Sequence, residues 1–403
     1  MKKILTKSLG PGLLFAGAAI GVSHLVQSTK AGGIYGLGLL WALVLIHILK
    51  YPFFEFGPRY AFSAKESLLD GYKRLGKLPL PIYFCLNLVN MFTIQAAVTI
   101  VTAGIASRVF NLEIQISYVC LLVSIIGMSI LIFGKYKALD KVVKIIIILL
   151  SLSTVIALVF AYKSNSQPIP ITAYFPTDYV GITFFIAFLG WMPAPLDISI
   201  WHSLWANEKK SESLKTSLFD FKVGYVATLL LGCCFLGLGA FVIYGENISL
   251  STNAAGFADQ LIQMYSDSLG SWSFYLIGIA ALTAMFSTTL TTLDASPRAM
   301  SRSLKLLWNI KEKNSYNIIL ISLVIGTQVI ILYAGSSMSI LIKVATILSF
   351  ISAPFYAICN LLLVRGENIS ESHRPPRALI VLSYLGILFM IGFSLYYLYY
   401  LIQ

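Results

Sequence analysis

Eleven stretches of this chain are apolar over lengths near twenty residues, and a chain with that many such stretches cannot stay in water. About 20 consecutive apolar residues in a helix cross the hydrocarbon of a bilayer. The stretches run over approximately 10–30, 34–58, 79–108, 114–134, 142–162, 178–205, 220–244, 270–297, 316–334, 338–364 and 378–401, parted by short charged or Gly/Pro-containing turns. Only 11% of the 403 residues are charged and 58% are hydrophobic, whereas soluble domains carry roughly 25% charge. The chain therefore reads as an all-α integral membrane protein rather than a water-soluble enzyme. No intervening segment is long enough to fold separately, so residues 1–403 read as one transmembrane domain; the segments near 163–177 and 245–269 have room for at most a short surface helix.

The formal charge of +12 would suggest nucleic acid in a soluble chain. Here the distribution of basic residues gives a simpler cause. Twenty-four of the 29, from Lys2, Lys3 and Lys7 through to Arg365, Arg374 and Arg377, fall in segments on one side of the spans. Lys30, Arg108 and Lys163 fall on the other side, and Lys50 and Lys343 lie within spans. Basic residues collect on the cytoplasmic side. The bias predicts a multi-pass protein of the cell inner (plasma) membrane, with a cytoplasmic N-terminus, an external C-terminus and no nucleic-acid partner. The basic start, MKKILTKS, runs on into a long patterned segment, so the first span is expected to be retained. The cysteines Cys85, Cys120, Cys233, Cys234 and Cys359 have no C-x-x-C spacing and read as small hydrophobes.

Two spans carry residues that helices in lipid avoid. The first places Gly10, Pro11, Gly12, Gly17 and Gly21-Val22-Ser23-His24 in its course; the sixth places Gly190-Trp191-Met192-Pro193-Ala194-Pro195-Leu196-Asp197 near the midplane. Each proline removes a backbone donor and obstructs the preceding turn, so span six is expected to unwind there. Glycines that only allow close helix packing would explain Gly10 to Gly17 equally well, but not Pro193-Ala194-Pro195. Breaks five spans apart are what an inverted repeat of five plus five helices produces, with the half-helix ends meeting as a substrate site. The repeats are expected over about 8–162 and 178–364, with an extra helix at 378–401.

The run from Gly10-Pro11-Gly12 through Ala31-Gly32-Gly33-Ile34-Tyr35-Gly36-Leu37-Gly38-Leu39-Leu40-Trp41 resembles the first helix of natural-resistance-associated macrophage protein (Nramp) transporters. His202-Ser203, Ser287-Thr288-Thr289-Leu290-Thr291 and Ala353-Pro354-Phe355 extend the resemblance over essentially the whole chain. It implies the leucine-transporter-like inverted repeat and a secondary active transporter working by alternating access. The family's helix-one signature, Asp-Pro-Gly-Asn, supplies an acid and an amide to a divalent metal; here the aligned residues are Gly21-Val22-Ser23-His24. Its helix-six signature supplies a methionine followed by Pro-His. Counted back without gaps from His202-Ser203, those positions become Pro195, Leu196 and Asp197. Counting from Met192-Pro193 keeps the methionine but needs a three-residue insertion, and the gapless count is preferred.

A dication taken from water needs anionic or several oxygen ligands, and manganese or iron sites add nitrogen or thioether. Gly21 and Pro195 offer neither a carboxylate nor sulfur, so no metal site of the family type is expected. Half-helix N-termini and donors from Ser23 and His24 suit a small oxyanion instead. The expected substrate residues are Gly21, Ser23, His24, Gln27, Ala194, Pro195 and Asp197, with His24, Gln27 and Ser28 on one helix face and Lys30 toward the mouth. The expected function is import of a small inorganic anion such as bicarbonate, with Ser287, Thr288 and Thr291 resembling the hydroxyl ligands of a coupling sodium ion. The alternative is a divalent-cation transporter, magnesium- or manganese-like and proton-coupled, although span three offers Asn87, Asn90 and Gln95 where the family's proton route has acids and histidines. Beyond bound sodium no cofactor is expected, and beyond the lipid bilayer and a small ion no obligate partner. Ser199 with His202, or Ser28 with His24, lacks the third group an intramembrane hydrolase needs.

Overall fold

The computed structural model describes residues 11–133, 136–165, 168–209, 213–245, 251–333 and 337–402. Lys2, Lys3, Lys7, Gly10, Lys135 and Lys210 lie outside them, as do the side chains of Lys137, Lys141, Lys144 and Lys209. The first span is α1 (Pro11–Ala19), a π-helix (Ser23–Ser28) and α2 (Thr29–Tyr35). Then follow α3 (Leu40–Ala64), a short α4 (Leu68–Arg74), α5 (Pro79–Val109), α6 (Ile116–Phe133) and α7 (Tyr136–Ser164). The sixth span is split into α8 (Tyr179–Trp191) and α9 (Ile198–Lys209). The remainder is α10 (Leu214–Val242), α11 (Ala254–Leu269), α12 (Ser273–Trp308), α13 (Glu312–Tyr333), α14 (Met338–Arg365), a 3-10 turn (Glu371–His373) and α15 (Arg377–Ile402).

Among the described residues, α3, α5, α6, α10, α12, α13, α14 and α15 are long and apolar enough to cross a membrane. The expected spans one, five and six fall on interrupted helices or on a helix described only in part. The segment near 245–269 holds the 16-residue α11, whose Phe257, Leu261 and Ile262 are buried against the bundle. It covers the ends of α5 and α12.

The packing is two-fold in pattern. The first span lies on α10 while α9, from the sixth, lies on α3; α5 pairs with α12, and α3 with α10. Exchanging the first five spans with the next five reproduces these pairings, as an inverted repeat requires. Small residues allow the tightest of them: a Cβ on Gly32 would stand 1.9 Å from the Leu236 carbonyl oxygen of α10. The α6, α13 and α15 spans are only 33%, 39% and 28% buried, against 67% for α3, and so form the lipid-facing rim around the broken helices.

Candidate functional site

Helix one breaks because its hydrogen-bond ladder shifts. The Gly21 amide donates to Ala19 O (3.0 Å) rather than to Gly17 O, and the next ordered turn is a π-helix. The Gly17 and Ile20 carbonyls are thereby turned to α12, where Thr288 Oγ1 lies 3.1 Å and 3.4 Å from them and 3.2 Å from Ala284 O. A hydroxyl has one proton and can satisfy one of these three acceptors. Ser287 Oγ, buried one residue earlier, has no hydrogen-bond partner among the described residues. Gly21 is required at this approach, since a Cβ there would meet the Thr288 side chain at 2.8 Å. The excess of uncharged oxygens suits a hard monovalent cation. Thr291 stands apart, its Oγ1 donating to Ser287 O on its own helix at 2.8 Å.

Helix six breaks at its prolines. Asp178 caps α8 by accepting from the Gly181 amide (2.9 Å), α8 ends at Trp191, and Met192 to Asp197 are not α-helical. Met192 to Asp197 being unwound, three extra residues there would disturb neither half-helix. The objection to an insertion therefore does not hold, and Met192 ends the half-helix with its sulfur 3.8 Å from Ser28 Oγ.

Sequence reasoning missed the side chain that fills the break. Lys50, in the middle of α3, is fully buried and donates from Nζ to Gly190 O (2.7 Å) and Leu189 O (2.8 Å), with Ala194 O at 3.5 Å. The only signal in the sequence was that Lys50 is one of two cations placed inside spans. Asp197 is also buried; no other side chain hydrogen-bonds its carboxylate, which faces the amides of Asp197 and Ile198 and the charge of Lys50.

The expected face of His24, Gln27 and Ser28 does not form, because the π-helix winds with a longer period than the i, i+3, i+4 spacing assumes. His24 Nε2 donates to Thr228 O of α10 (2.9 Å), while Nδ1 is 2.7 Å from Ser23 Oγ. Both ring nitrogens are thus engaged, Nε2 joining the first span to α10 and Nδ1 meeting the neighbouring Ser23. Ser23 Oγ also reaches Ala19 O at 2.8 Å and Pro193 O at 3.4 Å, and the Gly21 carbonyl accepts from the His24 and Leu25 amides. Ser199 Oγ donates to Leu196 O and accepts from Asn360, while His202 packs on Phe15 and Phe221, so no Ser199–His202 pair forms.

Two cavities follow the broken helices. One of about 20 Å³ touches Ser23, Pro195, Trp191 and Thr288 and has room for one water-sized group. The other, about 190 Å³, lies a turn along the first span and is lined by Gln27, Lys30, Thr183, Ser339 and Lys343 among apolar neighbours. Among the described residues it brings two lysines and no acid to one space. Lys343 also lies 5.8 Å from the Tyr179 ring centroid, a cation–π contact.

Residues 12–400 match the family described as natural resistance-associated macrophage protein-like. The chain belongs to the Nramp family. An uncharacterized protein of Pasteurella multocida (strain Pm70) is 37% identical over 402 residues, covering 96% of this chain and 91% of that protein. The manganese transporter of Eremococcus coleocola superposes with a TM-score of 0.73 at 12% identity, over 98% of this chain and 86% of that one. MhsT, solved with L-phenylalanine, gives a TM-score of 0.62 at 14% identity, over 96% and 98% of the two chains. At such identities the likeness is one of fold. This Nramp chain is a multi-pass membrane transporter with the leucine-transporter-like arrangement and broken helices one and six.

Proposed function

We propose that this Nramp protein imports a small inorganic anion, bicarbonate being the best candidate, by alternating access and together with sodium. The observation that carries the reading is the cavity beside the broken helices, which Lys30 and Lys343 line without any acid. Such a cavity concentrates anions and repels cations, and its volume of about 190 Å³ suits a small hydrated ion better than an organic solute. The charge bias of the loops supports an orientation with this cavity outside. Import of an anion against a negative interior needs a driving ion, and the oxygens around Thr288 and Ser287 support sodium in that role.

One observation favours the second reading, a divalent cation: Met192 keeps a thioether at the helix-six break, and the Eremococcus coleocola neighbour is a manganese transporter. Helix one, however, offers Gly21 in place of a carboxylate. A proton route through α5 has little support, because Gln95 bonds Thr99 and Thr292, and Asn90 bonds Ser352.

Charge reversal tests the carrying observation. Lys30→Glu combined with Lys343→Glu is expected to raise KM for bicarbonate uptake into proteoliposomes more than tenfold while leaving kcat within about a factor of two. Unchanged KM would remove the cavity from the substrate's path.

A further inference from the structure

A lysine at mid-depth in a membrane helix is costly unless its N–H donors find acceptors. Lys50 finds its acceptors at one place, the end of α8, where the break leaves carbonyls without intrahelical partners and the helix dipole ends negative. Ala194 O, inside the break, is its third neighbour at 3.5 Å, and the buried Asp197 ends the unwound segment. Three carbonyl oxygens around a gap between half-helices are a donor set that a free hard cation would take. A tethered ammonium holds that place at an effective concentration no free ion matches.

We propose that Lys50 is a built-in cation of the helix-six break: it occupies the oxygen cage in place of a free metal or monovalent ion, closes the break to cations, and so biases it toward an anionic substrate. Ser23 Oγ, 3.4 Å from Pro193 O, joins this segment to helix one, so that the charge sits where the two breaks meet. The proposal deepens the anion reading and rests on it for its consequence in transport. Its own test needs no transported substrate.

The purified full-length protein, held at fixed sodium, supplies that test. Lys50→Ala removes Cγ, Cδ, Cε and Nζ, the atoms of n-propylammonium. The variant is expected to melt below the wild type, and n-propylammonium is expected to raise its midpoint in a saturable way while n-propanol and choline do not; the wild type should respond to none of them. Equal stabilisation by n-propanol would reduce Lys50 to a space-filler, and no response to n-propylammonium would show that the cage takes no cation; either overturns the proposal. Lys50→Met covers the case in which the alanine variant does not fold, since it keeps the volume without the charge. It should melt below the wild type and recover when Asp197→Asn is added, whereas a Lys50→Met protein as stable as the wild type would overturn the proposal. The anion reading fails separately, if wild-type vesicles take up no bicarbonate while the n-propylammonium response stands.

Discussion

Thr288 offers one proton to the three carbonyl oxygens that converge on it. The imbalance is the physical content of the sodium proposal and gives a sharp substitution. Thr288→Val keeps the shape and removes the ligand, so sodium-stimulated uptake should fall about tenfold or more, as expected for losing about 1.4 kcal/mol of ion binding. A sodium response as large as the wild type's would exclude the cage. His24 has a different part, because its ring joins Thr228 to Ser23. His24→Ala leaves a buried carbonyl without its donor and should cost about 1–3 kcal/mol of stability, read as a lower melting midpoint of the purified protein; an unshifted midpoint would show that the hydrogen bond is not what holds this turn. At this scale the sequence was legible where chemistry is local: Asp294 and Arg298, four residues apart on α12, pair at 2.9 Å. It was not legible for Lys50, since nothing in the spacing of span two says that its ammonium crosses to the carbonyls of span six.

The break in span six was legible because Pro193 and Pro195 remove two backbone donors within three residues, whereas the single prolines Pro297 and Pro354 are carried inside continuous helices. What replaced the break in span one was not legible, since Ser23–Ser28 contains no residue that demands a π-helix over an α-helix. That winding separates Gln27, which lines the cavity, from His24 and Ser28, which do not. The count through span six is open for a related reason: an unwound segment tolerates extra residues that a continuous helix does not. Between elements, the contact of α2 with α10 depends on the absence of side chains. Gly32→Ala is expected to prevent normal assembly, seen as loss of the monodisperse chromatographic peak, because its Cβ would stand 1.9 Å from Leu236 O. Gly392→Ala in α15, with nothing within 4 Å of the new Cβ, is the matched control and should behave as the wild type. Equal behaviour of the two variants would contradict the packing described.

For the whole molecule, hydrophobic length made the multi-pass membrane architecture readable, and five-span spacing of the breaks made the inverted repeat readable. The ionic tethers between distant elements were not, because they join residues far apart in the chain. Arg298 of α12 holds Asp294 and Glu208 of α9, and Arg302 joins Asp70 of α4 to Glu312 of α13. These lie on the side opposite the two-lysine cavity, so the proposed cycle has to separate them when that side opens. Loss of one tether, as in Arg298→Gln, is expected to shift the resting population toward the open form of that side, raising the alkylation rate of a single cysteine introduced at Asn207; an unchanged rate would dissociate the tether from gating.

The central claim concerns the sign of the substrate's charge. Proteoliposomes of the purified protein, given radiolabelled bicarbonate or manganese with an inward sodium gradient, a pH gradient or neither, test it directly. The account predicts bicarbonate accumulation that the sodium gradient drives and the pH gradient does not, with no manganese uptake above protein-free vesicles. Saturable manganese uptake without bicarbonate uptake would contradict it.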